Sequence, residues 1–325
     1  MKRYKENIIL IALIIVLSLY VFMHKKDQTN YKLPEIPDIA KTEITKLEIA
    51  AINSDIILKK KSGNWYIDPE GYPADKDKVN KMLDSLKDIK VTALVSQLKN
   101  YNLYDLNAEK KITIKAWNKD KLKRLFEIGK IASSYRHTFI KLEKDGLVYH
   151  AEGDFRSSFD LTKDKLRDKL VLSFEKNEIS TINIHKGSTN ISLAFKEVEA
   201  GLKPGRNEEP KKEIEHKSTD RVWQTTDGKI CIKSKIDELF GKLSGLKCKQ
   251  YINNKNKDDL KDPIFTIILK GTKESKLSIF PMQGEDAIEY PCISSATEDP
   301  FFLTKHQAEN VMMDPEEIIK KEVEE

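Results

Sequence analysis

Ile44-Thr45-Lys46-Leu47-Glu48-Ile49 alternates apolar and polar side chains toward its end, the period of a half-buried strand. Ile179-Ser180-Thr181-Ile182-Asn183-Ile184 repeats that pattern in the second half of the chain. Outward from these two strands the same order of features recurs, and this repetition decides the fold. A hairpin comes next: Ile56 to Lys60, a turn at Ser62-Gly63, then Trp65-Tyr66-Ile67. In the second copy Ile191, Leu193 and Phe195 lead out, and Val222 and Trp223 lead back. A helical stripe follows in each. Val79, Leu83, Leu86 and Ile89 match Ile236, Phe240, Leu243 and Leu246 at a constant offset. Asp75 is the expected N-cap of the first helix and Ser234 of the second.

Further strands complete each copy. Ile112, Ile114 and Ala116 answer Phe265, Ile267 and Leu269, and Leu125 to Ile128 answers Leu277 to Phe280. Phe139 to Leu142 and Val148-Tyr149 correspond to Ile288 and to Phe301 to Leu303. Each copy therefore reads β-β-β-α-β-β-β-β, an α+β unit with mostly antiparallel pairing. The first is expected over residues 39–172 and the second over 173–311. The second carries a polar insertion over 197–220, including KPGRNEEPKKEIEHKSTD, too poor in apolar residues to bury a face. It is read as a long hairpin tip, with a partner-contacting finger as the alternative. Residues 155–169 read as a short connecting helix, and 312–325 as a charged helical tail.

Ahead of the repeats, residues 8–23 read IILIALIIVLSLYVFM without a charge. Sixteen helical residues rise about 24 Å, and the flanking Tyr4, Lys5, His24, Lys25 and Lys26 extend that toward the roughly 30 Å of a hydrocarbon core. Leu19 to Met23 are too large for a signal-peptidase site, so an uncleaved anchor over 1–26 is expected. The basic leader Lys2, Arg3 and Lys5 puts the N-terminus in the cytoplasm and the body outside it, in the periplasm if the cell has one. Residues 27–38, with Pro34 and Pro37, read as a stiff linker.

The 34% charged residues alternate in sign, leaving a net charge of only +5 and no clustered basic stripe, which argues against nucleic acid as a partner. Cys231, Cys248 and Cys292 fit neither a disulfide framework nor a zinc site and read as buried thiols, with a Cys248–Cys292 pair left open. His150, Glu152 and Asp154 form an H-x-E-x-D string, whose alternate residues share a strand face as metal ligands could. A polar strand end is the simpler reading, since no second ligand cluster is evident. A hydrolase built around His150 and Asp154 is the sharper alternative. Ser133-Ser134 near Arg136 and His137 lacks a G-x-S-x-G elbow and reads as a turn. Gly129-Lys130 lacks the rest of a phosphate loop. Trp65, Trp117, Tyr101, Tyr104 and Trp223 have the chemistry to stack on sugars, but read as core or interface residues. No catalytic, cofactor-binding or metal residue is assigned, and no cofactor is expected.

Asn64-Trp65-Tyr66-Ile67-Asp68-Pro69, Pro73-Ala74-Asp75, Tyr101-Asn102-Leu103, Leu125-Phe126-Glu127-Ile128-Gly129-Lys130, Val148-Tyr149 and Arg167-Asp168-Lys169-Leu170-Val171-Leu172 resemble, in this order, the bacterial family called domain of unknown function 4340. The family's usual Tyr-Gly-Leu is Tyr101-Asn102-Leu103 here, and the second copy has Phe280-Pro281-Met282 where the first has Ile128-Gly129. The resemblance implies one N-terminal membrane anchor and a place beside ABC-transporter components of the gliding-motility type. No catalytic residue comes with it. The expected function is a non-enzymatic accessory or scaffold subunit of an ABC-type transport or assembly system in the cytoplasmic membrane. The alternative is a cell-wall or polysaccharide-binding module.

Overall fold

The computed structural model describes residues 2–23, 31–52, 54–199, 219–284 and 287–319. The tip of the expected insertion and the last six residues of the expected tail lie outside them. The chain divides into two compact units, Met1–Leu166 and Arg167–Glu325.

Helix α1 (Lys2–Met23) opens the chain, and its 22 residues rise about 33 Å. Its described large apolar side chains, from Ile9 to Tyr20, are each more than half exposed. Among the described residues no helix is long and apolar enough to cross a membrane. Side chains are described in α1 for Asn7 and Ile9 to Tyr20 alone, a stretch shorter than a span.

The body of the first unit is one sheet and the helices on its face. Its strands are β1 (Lys46–Ala51), β2 (Ser54–Lys61), β3 (Asn64–Asp68) and β4 (Tyr72–Pro73). After α2 (Lys76–Lys87) come β5 (Val91–Ser96), β6 (Ile112–Asn118), β7 (Lys121–Ile131), β8 (His137–Leu142) and β9 (Val148–Glu152). Helices α3 (Phe155–Phe159) and α4 (Lys163–Leu166) close it. The order across the sheet is β4-β3-β2-β1-β6-β7-β8-β9-β5, antiparallel throughout. Consequently α2 carries the chain from one edge to the other. Ser62 and Gly63, both at positive φ, form the two-residue turn that the right-handed twist of a hairpin favours.

Period-two alternation sends Leu47, Ile49, Leu58, Ile67, Ile114, Phe126 and Ile140 to one face. There they pack with Val79, Met82 and Leu86 of α2 and Phe155 and Phe159 of α3. Each fully buried side chain of this size contributes about 1.5–3 kcal/mol. The opposite face is partly covered by the 3₁₀ turn Tyr101–Tyr104 and by Leu106, which is 1% exposed.

The second unit begins with β10 (Leu170–Leu172), followed by β11 (Thr181–Lys186), β12 (Thr189–Glu199) and β13 (Thr219–Thr225). Then come α5 (Lys233–Leu243), β14 (Leu246–Lys247), β15 (Gln250–Tyr251), β16 (Phe265–Lys270), β17 (Glu274–Ile279), β18 (Glu289–Ser294), β19 (Phe301–Thr304) and α6 (Lys305–Val311). The main sheet runs β13-β12-β11-β16-β17-β18-β19-β15, and β10 pairs separately with β14. Strand for strand this is the order of the first sheet without its short outermost member.

The structure differs from the sequence reading in several places. Strands β5, β14 and β15, short or irregular, carry no clean alternation and were not expected; nor was α6. The boundary lies after Leu166, not after Leu172, because Val171 and Leu172 belong to the second unit's core and β10 pairs with β14. Residues 155–169 hold two short helices and not one. Asp75 caps α2, accepting from the Asp77 and Lys78 N–H groups at 3.0 and 3.2 Å. Ser234 does not cap α5: the helix starts at Lys233 after Ile232, which offers no side-chain bond. The described part of the expected charged tail holds a 3₁₀ turn over Pro315–Ile318, with Ile318 fully buried in the second core.

Candidate functional site

The part of the linker that is described lies against the first unit. Ile39 is 7% exposed, and Leu33 and Ile36 pack against the core. The Ile39 N–H donates to the Lys87 carbonyl at 3.1 Å. Arg124 completes the attachment. It sits on β7 in phase with Phe126 and Ile128, pointing inward, and is 7% exposed. Its Nη1 donates to the Leu86 carbonyl at 2.9 Å and its Nη2 to the Pro37 carbonyl. Burial lowers its pKa, while Asp38 and Asp88 oppose the fall. Between this strap and the sheet lies a cavity of about 470 Å³, walled by Ile36, Ile89, Phe126 and Leu142. A cationic residue in an apolar strand phase was a signal available in the sequence that the sequence reading did not use.

The H-x-E-x-D string does not converge. His150 stacks on His137 with ring centroids 5.4 Å apart and planes at 24°, and Phe139 tilts against it at 4.7 Å. Its Nε2 is buried without a hydrogen-bond partner among the described residues, and its pKa is lowered by desolvation and by His137. Glu152 lies opposite His137 across β8 and β9 and is exposed. Asp154 caps α3 instead, accepting from the Ser157 N–H at 3.0 Å. Among the described residues no three His, Cys, Asp or Glu are placed to hold a metal ion. Ser134 Oγ is 3.4 Å from His137 Nδ1 but also accepts from the Arg136 N–H, in a turn closed by Tyr135 N–H to Ala132 O. That is a long contact in a turn, and among the described residues no carboxylate is paired with the imidazole.

Trp65 and Trp223 are core residues, 7% and 8% exposed. Tyr101 donates to the Gly146 carbonyl at 3.0 Å and lies under Lys141, while Tyr104 packs on Phe139 at 5.0 Å. Trp117 remains half-buried, with the Lys46 ammonium 5.0 Å from its ring centroid. The three cysteines are buried; desolvation raises the Cys231 thiol to about 11 and raises the Cys292 thiol as well.

The Arg167-Asp168-Lys169 string has a structural role in the second unit. The Arg167 guanidinium lies 3.3 Å from the Tyr251 ring centroid and pairs with Asp299 at 2.7 Å. The Tyr251 hydroxyl donates to the Asp168 carbonyl at 2.8 Å, and Cys248 N–H donates to Lys169 O at 2.8 Å. Gly129, which the sequence offered as a failed phosphate loop and as part of a family motif, lets the covering turn approach the sheet. A Cβ there would stand 2.2 Å from the Tyr104 carbonyl oxygen.

A family model described as Domain of unknown function (DUF4340) matches residues 65–263, more than half of the chain. The match begins at Trp65 on β3 and continues through Arg167-Asp168-Lys169 into the second unit. No curated protein and no solved structure matches the chain. With its motifs placed in the fold and the family model covering part of each unit, the chain belongs to the domain of unknown function 4340 family.

Proposed function

We propose that this is a single-pass membrane-anchored protein whose body lies outside the cytoplasm and serves, without catalysis of its own, as an accessory or scaffold subunit of an ABC-type transport or assembly system. The observation that carries this reading is the uncharged apolar run of α1 from residue 8 on, with its described Ile, Leu and Val side chains exposed. A helix apolar on every side is unstable in water and at home in lipid. The Arg124 strap supports the same reading, because it attaches the described end of the linker, residues 31–38, to the first unit. The family resemblance supplies the partner class.

The test is gentle detergent solubilisation of native membranes followed by affinity purification through a C-terminal tag. Expected is retention in the membrane pellet through a carbonate wash and recovery with ABC-transporter subunits. Release by carbonate removes the anchor from the proposal, and recovery without a transporter subunit removes the accessory role.

A further inference from the structure

The two units share a corner between their first hairpin and long helix, and differ in what fills it. Lys60 on β2 lies directly opposite Trp65 on β3, as Phe195 on β12 lies opposite Trp223 on β13. Backbone bonds fix the equivalence. Lys60 N–H donates to Thr45 O at 2.9 Å and Phe195 N–H to Ser180 O at 3.0 Å. Ala74 N–H donates to Trp65 O at 2.9 Å and Cys231 N–H to Trp223 O at 2.8 Å. In the second unit rings meet at the corner: Phe195 lies 5.2 Å from Trp223, which meets Phe240 edge-on at 5.9 Å.

In the first unit Lys60 and Leu83 replace the two phenylalanines, and a cavity of about 320 Å³ opens beside Trp65. Lys41, Lys76, Asn64 and Asn80 line it as well, and among the described residues no carboxylate does. Lys41 is ion-paired with Asp84. Among the described residues neither Lys60 nor Lys76 has a carboxylate within ion-pair distance. Ammonium groups gathered at a concave surface repel one another, and an anionic guest relieves that repulsion. Lysines act as point charges suited to phosphate, whereas a planar carboxylate favours the arginine fork. The two asparagines offer donors and acceptors for hydroxyls, and the small exposed edges of Trp65 and Leu83 give the cavity an apolar floor. The size is at the lower end of small-ligand sites.

We propose that this cavity is a binding site for a phosphorylated sugar. The neighbouring unit is its internal control, since Phe195 stands on the same backbone there in place of Lys60.

The experiment is calorimetric titration of the full chain in detergent with glucose 6-phosphate, inorganic phosphate and glucose. Expected is saturable, salt-sensitive binding of glucose 6-phosphate, with phosphate weaker and glucose silent. Lys60→Phe, which imports the second unit's residue, and Lys76→Glu each weaken binding by about tenfold or more, and Lys242→Glu in the second unit leaves it unchanged. Glu is well tolerated at the first position of a helix, so Lys76→Glu reports on binding even if Lys60→Phe disturbs the hairpin. Absence of saturable heat at millimolar ligand overturns the site. So does unchanged affinity in Lys76→Glu, and phosphate binding as tightly as the sugar phosphate overturns the sugar.

Discussion

Single residues carry much of what is specific to this chain, and their roles depend on what stands opposite them. Gly129 is the clearest case. Its missing side chain admits the Tyr104 carbonyl and brings Leu106 to the far face of the sheet. Gly129→Ala must push the covering turn away and is expected to lower stability by about 1–3 kcal/mol, read from urea unfolding. His150 predicts a pH dependence. Its folded pKa lies below the ordinary value near 6.5, so below that value the unfolded chain binds more protons than the folded one. Stability from this residue is therefore complete above about pH 7 and declines as the pH falls below the ordinary value. His150→Phe, which copies Phe302 at the matching register of β19, should flatten that part of the stability profile. A slope unchanged in the variant assigns the acid sensitivity to other groups.

At the scale of elements, the two long helices occupy equivalent places but begin differently. Asp75 closes the start of α2 with two backbone acceptances and an ion pair to Lys78 at 2.8 Å. Burial opposes ionisation of Asp75, yet the bonds from Lys78 outweigh it and its pKa is lowered. α5 has no side-chain cap; the N–H of Ile232 donates instead to the Ile318 carbonyl, from the closing 3₁₀ turn. Asp75→Ala should cost about 1 kcal/mol, while Ser234→Ala should change stability by well under half that, both by thermal unfolding. An equal loss at both positions contradicts this difference. The local code explains why one cap was legible and the other was not. An aspartate before a helical stripe is read from neighbours alone, whereas the partner of Ile232 lies far along the chain.

For the whole molecule, the α+β class, the antiparallel pairing and the order of the principal strands were legible, because alternation with period two and a stripe with period 3.6 are imposed by which face is buried. The apolar run of α1 was equally plain, as composition alone marks it. Strands β5, β14 and β15 escaped, since their residues pair through one edge only or over two residues, too few to leave a period. The unit boundary also escaped: Val171 and Leu172 look the same whichever core receives them, and only the β10–β14 pairing and the Arg167–Tyr251–Asp299 contacts assign them to the second unit. The candidate sites were the least legible. His150, Glu152 and Asp154 are two residues apart in sequence and have three unrelated roles, whereas Lys41, Lys60 and Lys76 are distant in sequence and share one cavity. Sequence by itself determined the kinds of element, their order and the greasy first helix, because these follow from local periodicity and composition. Tertiary structure alone decided which side chains meet, because a cavity or a buried cation is a relation between strands and helices remote in the chain.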